Sequence, residues 1–287
     1  MNISFIGMGI MGLPMSKNLH ESGYLTKVYN RTKEKAEYYN DTNVKICDNL
    51  LEVSEEADVI FIMVSDSKDV EEVILGEDGV INKAKKNSII VDLSSINPEV
   101  TKKIGEELKK KDIEFVDAPV SGGEKGAIEG KLSIMVGGEE ETIKSVMPYL
   151  EVMGGNVTHV GALGSGGYTK IVNQIIVAVG IQSIAEAFHL AQKSDLDFEV
   201  LYNAIRNGLA GSNVLDQKIN NLIDENFEPG FKIKLHLKDL NNALKVAEEK
   251  NVELPVTSKV KSYMEDLNNE GMGELDHSSL YKYISEK

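Results

Sequence analysis

The chain opens on Asn2-Ile3-Ser4-Phe5-Ile6 followed by Gly7-Met8-Gly9-Ile10-Met11-Gly12, and this stretch predicts the fold. Its first part has an apolar strand pattern, and a helical pattern follows it. Between a strand and a helix, one glycine allows a tight turn, a second lets phosphate approach the backbone, and a third lets the helix pack on the strand. A plain glycine-rich turn is the alternative. Here the turn begins a series of strands and helices, which favours a dinucleotide site.

The first half of the chain alternates short β-branched runs with helical stretches. This pattern predicts an α/β domain with a doubly wound, mostly parallel sheet, and it places ligands at the carboxyl ends of the strands. The predicted strands cover residues 2–6, 27–29, 58–64, 88–93, 114–116 and 132–136.

The pattern changes after Gly166, where a helical periodicity runs over residues 168–193 and no strand pattern follows. A helix of about 26 residues is roughly 39 Å long, and it is expected to join two domains. The glycine-rich residues 161–167 mark the boundary. We therefore predict a Rossmann-type dinucleotide-binding domain over residues 1–163 and an all-α substrate and oligomerisation domain over residues 164–287.

Composition excludes several classes of function. The 287 residues are 41% hydrophobic, carry a formal charge of −15 and include one cysteine, Cys47, so no intrachain disulfide is possible. The five histidines lack metal-ligand spacing, and no metal is expected. The N-terminus lacks signal-peptide features, and the long apolar helix is interrupted by Asn173 and Gln174. We expect a cytoplasmic protein that binds neither nucleic acid nor membranes and attracts anions only at local cationic sites.

The end of the second strand selects the cofactor. An acidic residue there would bind the ribose 2′-OH, whereas the chain has Asn30-Arg31-Thr32, in which Arg31 suits a 2′-phosphate. NADP(H) is therefore predicted over NAD(H), with NAD(H) possible if Arg31 lies only in a surface turn. Met63 and Val64 on one strand end and Ser95 on another are expected on the nicotinamide-ribose side, although either could be a simple turn.

A candidate substrate site follows the fifth predicted strand, at Asp117-Ala118-Pro119-Val120-Ser121-Gly122-Gly123. Backbone N–H groups of Gly122 and Gly123 together with the Ser121 hydroxyl form an anion-binding turn that suits a carboxylate. Considered alone, this sequence would be an ordinary loop.

Three polar residues interrupt the long apolar helix: Lys170, Asn173 and Gln174 share one face at spacing i, i+3, i+4. A lysine ammonium can polarise a carbonyl oxygen and donate a proton to the alkoxide that hydride transfer forms, so Lys170 is the predicted general acid. Asn173 and Gln174 are predicted to bind substrate. Lys238 on a later helix could lower the pKa of Lys170. A solvated helix stripe is the alternative.

Taken in order, these elements resemble the β-hydroxyacid dehydrogenase family over the whole chain. The resemblance implies a Rossmann domain followed by a helical domain of the 6-phosphogluconate dehydrogenase type. It makes Lys170 the catalytic residue, places Ser121, Gly122, Gly123, Asn173 and Gln174 at the substrate, and places Ser95 and Lys238 at the cofactor. Family members assemble as dimers or tetramers. Apolar residues such as Ile181, Ile184 and Phe188 are expected on a surface that a second subunit covers.

Within that family the chain resembles the tartronate semialdehyde reductases, and Asp276-His277-Ser278 is among the segments that carry this resemblance. The expected reaction is NADPH-linked reduction of tartronate semialdehyde (2-hydroxy-3-oxopropionate), or of a similar small semialdehyde carboxylate, to the hydroxy acid. 3-Hydroxyisobutyrate oxidation and glyoxylate or succinic semialdehyde reduction are alternatives. A non-catalytic NADP-binding regulator is the alternative from another class.

Overall fold

A computed structural model describes residues 1–286 of the chain. It divides into two compact units, Met1–Lys170 and the residues from Ile171 onward. The division falls inside one helix, shortly after the boundary that the glycine-rich residues 161–167 suggest.

The first unit is built on one sheet whose strand order is β3-β2-β1-β4-β5-β6-β8-β7, with β9 beside β8. Every neighbouring pair from β3 to β6 is parallel, whereas β8 runs antiparallel to β6 and β7 and parallel to β9. The first six positions have the order of the doubly wound dinucleotide-binding fold, which confirms the predicted fold class. The strands are β1 (Ile3–Ile6), β2 (Leu25–Tyr29), β3 (Lys45–Ile46), β4 (Val59–Ile62), β5 (Ile89–Asp92), β6 (Glu114–Asp117), β7 (Val120–Ser121), β8 (Ser133–Gly137) and β9 (Asn156–Gly161).

Six of these strands lie where the sequence places them, within a few residues. The other three, β3, β7 and β9, are absent from the sequence prediction. β3 and β7 have only two residues each, too few for a periodic pattern. β9 is largely exposed and polar, so it lacks the apolar alternation of a buried strand.

Alternate residues of the sheet enter two apolar clusters. Phe5 and Phe61 belong to the first, whereas the next residues in sequence, Ile6 and Ile62, belong to the second. The sheet is therefore buried on both faces, as βαβ connections require. The covering helices of this unit are α1 (Gly12–Glu21), α2 (Leu50–Ser54), α3 (Ser67–Leu75), α4 (Pro98–Lys109), α5 (Gly123–Ile128) and α6 (Glu140–Met153).

Cys47 lies in the second of these clusters, next to β3, and its side chain is buried. Desolvation raises the pKa of its thiol to about 11.

The helix α7 (Ser165–Lys193) begins three residues before the predicted start at residue 168 and continues into the second unit. That unit is helical, as predicted, and the described residues add only one isolated bridge, between Lys232 and Asp276. Its remaining helices are α8 (Phe198–Ile205), α9 (Asn213–Ile223), α10 (Ile233–Glu249), α11 (Pro255–Leu267) and α12 (Leu280–Ser285).

The apolar residues of α7 form core contacts within the second unit. Ala178 and Ile181 pack with residues of α10 and α11, and Ala185 and Phe188 pack with residues of α9. The helix is long and apolar enough to span a membrane by length and composition, but these contacts are those of a core helix. The expectation that Ile181 and Phe188 lie on a subunit surface is wrong, because both side chains are buried by their own unit.

Candidate active site

The Gly7–Gly12 turn lies where the ends of three strands meet. The Gly7 N–H donates to the carbonyl of Tyr29 at the end of β2 (2.9 Å), and the Met63 N–H donates to Ile6 O (2.9 Å). A Cβ on Gly7 would lie 2.1 Å from Met63 O, and one on Gly12 would lie 1.9 Å from Gly7 O. Both glycines are therefore required by packing.

Gly9 differs from these two, because a Cβ there would meet no described atom within 4 Å. The turn therefore keeps an open space above the start of α1. Met11, the N-cap residue of α1, makes no capping hydrogen bond with its own side chain, and the first turn of this helix contains no acidic residue. An uncapped helix N-terminus beside an open glycine fits a pyrophosphate.

Asn30 fixes the turn from the end of β2. Its side-chain oxygen accepts the Met8 N–H (2.8 Å), and its amide nitrogen donates to Thr32 O (2.6 Å). The Met8 side chain is buried in the core, whereas Ile10 is exposed. Arg31 and Thr32 are exposed beside the turn, as a contact with an adenosine ribose requires.

The ends of β4 and β5 are joined by a hydrogen bond that the sequence did not reveal. The Val64 N–H donates to the Ser94 hydroxyl (3.0 Å), and the Ser94 N–H donates to Asp92 (2.9 Å). Ser94 is buried, whereas Met63, Val64 and Ser95 are partly exposed at the carboxyl edge of the sheet. That edge is where this fold binds its ligands.

The predicted anion-binding turn depends on its two glycines for its backbone conformation. Gly122 and Gly123 both have positive φ, 139° and 66°, and Ser121 is half-buried at the end of β7. A Cβ on Gly123 would meet nothing within 4 Å, so the turn is open at this residue.

Lys170 lies on α7 in the first unit, and its side chain is only 8% exposed. The start of this helix is held by Asp117, whose Oδ1 accepts the Gly164 N–H (2.7 Å) and whose Oδ2 accepts the Gly167 N–H (2.8 Å). Asp117 is also the last residue of β6, from which the chain continues to Ser121. The structure therefore joins the two segments that carry the predicted catalytic lysine and the anion-binding turn.

Asn173 and Gln174 lie on α7 in the second unit. Asn173 Nδ2 donates to Gln174 Oε1 (2.8 Å), and Gln174 Nε2 donates to Asp239 Oδ2 (2.7 Å). Lys238 Nζ lies 3.0 Å from Asp239 Oδ1. Gln174 is buried, and these bonds make it a support for Asn173; its contact with substrate remains a prediction, as does an effect of Lys238 on Lys170.

His236 and His277 continue this network in the second unit. Their Nδ1 atoms are 2.8 Å apart, so one donates and the other accepts, and His236 Nε2 faces the Gln174 carbonyl at 3.2 Å. Because a carbonyl only accepts, that bond requires a proton on His236 Nε2. The sequence analysis named His277 only within a segment that carries the family similarity, and it missed the link of His277 to α7 through His236.

Asp276 precedes His277 and is fully buried. Its carboxylate accepts from Lys218 Nζ (3.0 Å), from the Gly230 and Phe231 N–H groups (3.0 and 2.9 Å), and from Ser278. It thereby links α9, the residues before α10 and the C-terminal turn. The described residues include no group of three or more His, Cys, Asp or Glu placed to hold a metal ion.

Two family models together match almost the whole chain. Residues 2–161 match the family model described as the NAD binding domain of 6-phosphogluconate dehydrogenase. Residues 164–284 match that of the NAD-binding domain of NADP-dependent 3-hydroxyisobutyrate dehydrogenase. The chain belongs to the β-hydroxyacid dehydrogenase family. It is therefore an NAD(P)-dependent oxidoreductase, and the resemblance noted in its motifs is confirmed.

Individual members of the family match almost the whole chain. The 2-hydroxy-3-oxopropionate reductase of Escherichia coli is 41% identical over 99% of this chain and 97% of its own. The mitochondrial 3-hydroxyisobutyrate dehydrogenase of Mus musculus is 32% identical over 99% of this chain and 87% of its own. The solved 3-hydroxyisobutyrate dehydrogenase of Mycobacterium tuberculosis with L-serine has a TM-score of 0.89 at 28% identity, covering 99% and 98% of the two chains.

Proposed function

We propose that this β-hydroxyacid dehydrogenase reduces tartronate semialdehyde (2-hydroxy-3-oxopropionate), or a similar small semialdehyde carboxylate, to the hydroxy acid with NADPH. The observation that carries the proposal is a buried lysine, Lys170, one turn beyond a helix start that is bonded to the strand leading to Ser121. The 41% identity to the Escherichia coli 2-hydroxy-3-oxopropionate reductase supports this choice of substrate.

Each side chain then has a chemical role. When bound, NADPH supplies the hydride. The Lys170 ammonium polarises the aldehyde oxygen and donates the proton that the developing alkoxide needs. Ser121 Oγ and the N–H groups of Gly122 and Gly123 bind the substrate carboxylate. Asn173, one turn beyond Lys170 on α7, orients the substrate by hydrogen bonding, and its own amide is held by Gln174.

The preference for NADPH is proposed from the exposed Arg31 and the lack of a carboxylate in Asn30-Arg31-Thr32. A guanidinium pairs well with a 2′-phosphate, whereas a ribose 2′-OH is usually bound by an acidic residue at this point of the fold. NAD(H) remains the second candidate.

A panel of aldehydes tests the reaction. NADPH oxidation is followed with tartronate semialdehyde, succinic semialdehyde, glyoxylate and methylmalonate semialdehyde. The reverse reaction is followed as NADPH formation from NADP+ and 3-hydroxyisobutyrate. Highest kcat/KM for tartronate semialdehyde supports the proposal. Highest kcat/KM for methylmalonate semialdehyde and 3-hydroxyisobutyrate would instead favour the 3-hydroxyisobutyrate dehydrogenase activity named for the mouse relative. Tight NADPH binding without turnover of any compound would indicate a non-catalytic regulator.

Lys170→Ala tests the general acid. Removing the ammonium is expected to lower kcat by about 100- to 10 000-fold, because a positioned proton donor contributes that much, while NADPH still binds. Lys193→Ala is the matched control, since it removes the same charge from an exposed position at the far end of α7. A kcat for Lys170→Ala equal to that of the control would contradict the assignment.

Arg31→Ala tests the cofactor preference. Losing one charge-assisted contact is expected to raise the KM for NADPH by about 10- to 100-fold and to leave the KM for NADH almost unchanged. Lys35→Ala, which removes a positive charge from an exposed position on the same segment, is the control. Equal increases in the two KM values would reject the 2′-phosphate contact.

A further inference from the structure

Asp117 occupies a particular place in the first unit. It is the last residue of β6, it is 2% exposed, and its register partners are Asp92 on β5 and Gly137 on β8. The proposed chemistry at Lys170 and Ser121 does not use the Asp117 carboxylate. Burying a carboxylate costs free energy unless hydrogen bonds compensate for the lost water, so its partners need to be identified.

The partners of Asp117 are main-chain N–H groups at the start of α7. Oδ1 accepts from Gly164 (2.7 Å) and Oδ2 from Gly167 (2.8 Å). Such N–H groups lack acceptors within their own helix, and a negative charge at a helix N-terminus is favourable. Asp117 thus caps α7, although it is distant in sequence from that helix.

Backbone encloses the carboxylate closely. A Cβ on Gly137 would lie 2.4 Å from Asp117 Oδ1, and one on Gly166 would lie 2.8 Å from Oδ2 and 2.4 Å from Met135 O. The first turn of α7 therefore rests directly on β6 and β8. The Tyr168 hydroxyl, which donates to Glu99 on α4 (2.6 Å), adds a second attachment.

The hydrogen bonds of Asp117 connect two segments that carry predicted site residues. Lys170 follows Gly167 by three residues, so it lies one turn, about 4.5 Å along the axis, beyond a bonded N–H. In the other direction, Ser121 follows Asp117 by four residues. One side chain therefore fixes both the helix turn that carries the lysine and the strand end that leads to the anion-binding turn.

We propose that Asp117 is a positioning residue, which caps α7 and thereby sets the place of Lys170 relative to Ser121, Gly122 and Gly123. This inference rests on the proposed function, because it assigns a positioning role for the same reaction. Asp117 itself touches neither substrate nor cofactor in the proposal.

The charge of Asp117 has a second effect. Desolvation raises the pKa of its carboxyl, and the N–H groups of Gly164, Gly167 and Gly166 act in the opposite direction. Above that pKa the carboxylate carries a negative charge at the start of the helix that bears Lys170, and such a charge favours an ammonium, so we expect its removal to lower the pKa of Lys170. A cap that was merely structural would change stability but would not move the titration of Lys170.

The experiment uses Asp117→Asn and the control variant Asp197→Asn. Both remove a carboxylate that caps a helix, but Asp197 accepts the Val200 N–H (2.8 Å) at the start of α8, which carries none of the predicted site residues. NADPH binding, measured by fluorescence titration, shows that each variant is folded. For Asp117→Asn we expect kcat to fall about 100-fold, since a displacement of about 1 Å can cost that much, and the KM for NADPH to change less than threefold.

The pH dependence supplies the second readout. The basic limb of kcat in Asp117→Asn is expected to move to lower pH by about half a unit to one unit, and that of Asp197→Asn to stay in place. If Asp117→Asn does not fold, Asp117→Glu takes its place. The Asp117→Glu variant keeps the negative charge but moves the carboxylate oxygens away from the N–H groups of Gly164 and Gly167. We therefore expect kcat to fall and the basic limb of kcat to stay at the same pH.

A measurement without turnover separates this inference from the proposed function. The rate at which a lysine-directed acylating reagent modifies Lys170, followed by peptide mass spectrometry over a pH series, reports the pKa of its amine. A lower pKa of Lys170 in Asp117→Asn than in Asp197→Asn supports the link between Asp117 and Lys170, even if no aldehyde of the panel is reduced. An equal pKa in both, or a kcat within threefold of the parent in folded Asp117→Asn or Asp117→Glu, overturns it.

Discussion

Gly9 is the one glycine of the Gly7–Gly12 turn at which an added Cβ would meet no described atom within 4 Å. A Cβ on Gly7 or Gly12 would overlap a carbonyl oxygen, whereas one on Gly9 would point into open space. Packing thus accounts for two of the three glycines, and the space above the third is where a phosphate can approach the backbone.

Gly9→Ala is therefore expected to separate binding from folding. The added methyl meets no described atom, so the free energy of unfolding should change by less than about 1 kcal/mol. The same methyl lies where the cofactor phosphate is proposed to approach the backbone, so it should weaken NADPH binding by about tenfold or more. Urea unfolding and fluorescence titration measure the two effects. Gly208→Ala, in the second unit, is the control. If Gly9→Ala lowers the free energy of unfolding and leaves the NADPH affinity unchanged, the phosphate does not bind beside Gly9.

Helix starts and ends provide the next level of organisation. Asp117 caps α7 from β6, and Asp276 joins α9, the residues before α10 and the C-terminal turn. Each carboxylate is buried and binds main-chain N–H groups that are remote in sequence. In each unit, one buried carboxylate thus joins segments that are remote in sequence.

Asp276→Asn is expected to destabilise the second unit by about 3 kcal/mol, because Lys218, whose side chain is 14% exposed, would lose its ion-pair partner inside the protein. Urea unfolding followed by circular dichroism measures this loss. Asp216→Asn, an exposed carboxylate bonded to Tyr202, should change the free energy of unfolding by less than about 0.5 kcal/mol. If the two variants lose similar free energies of unfolding, the buried hydrogen bonds of Asp276 stabilise the protein no more than an exposed carboxylate does.

The start of α10 carries an acid-sensitive contact. Hydrogen bonds from Lys232 and Lys234 lower the pKa of Glu274 from 4.5 to about 2. A carboxyl whose pKa is lower in the folded state stabilises that state above its unfolded pKa, and this stabilisation is lost as the pH falls toward about 2. The contribution is therefore complete near neutral pH and disappears between about pH 4.5 and pH 2.

Glu274→Gln should make the urea midpoint less dependent on pH in that window, with little further change above it. Glu249→Gln, an exposed carboxyl at the other end of α10, should keep the pH dependence of the parent. The prediction fails if the midpoints of the parent and Glu274→Gln remain a constant distance apart from pH 7 to pH 2.5.

At the scale of the whole molecule, the sequence predicts what local periodicity and motifs determine. The parallel sheet, the helical second unit and the family follow from the Gly7–Gly12 turn, from the strand patterns and from Lys170 with its neighbours on α7. Their physical basis is local, since a buried strand or an apolar helix face leaves a period in the sequence.

Contacts between distant residues leave no such period. Asp117 was visible in its motif, but its bonds to Gly164 and Gly167 were not, and the His236–His277 pair joins two helical segments that nothing in the sequence connects. Ile181 and Phe188 show the opposite error, because their apolar character suggested a subunit contact and the structure buries both in their own unit. The hydrophobicity of a side chain predicts that it is buried, but it does not indicate whether its own unit or another subunit covers it.

Cys47 has a practical consequence at this scale. It is the only thiol of the chain, it lies in the core of the first unit, and its high pKa keeps it in the unreactive protonated form at neutral pH. A thiol reagent can therefore modify the protein only after the residues around β3 have separated. The native chain thus contains its own single-site reporter of local opening, and none of the substitutions described above would disturb it.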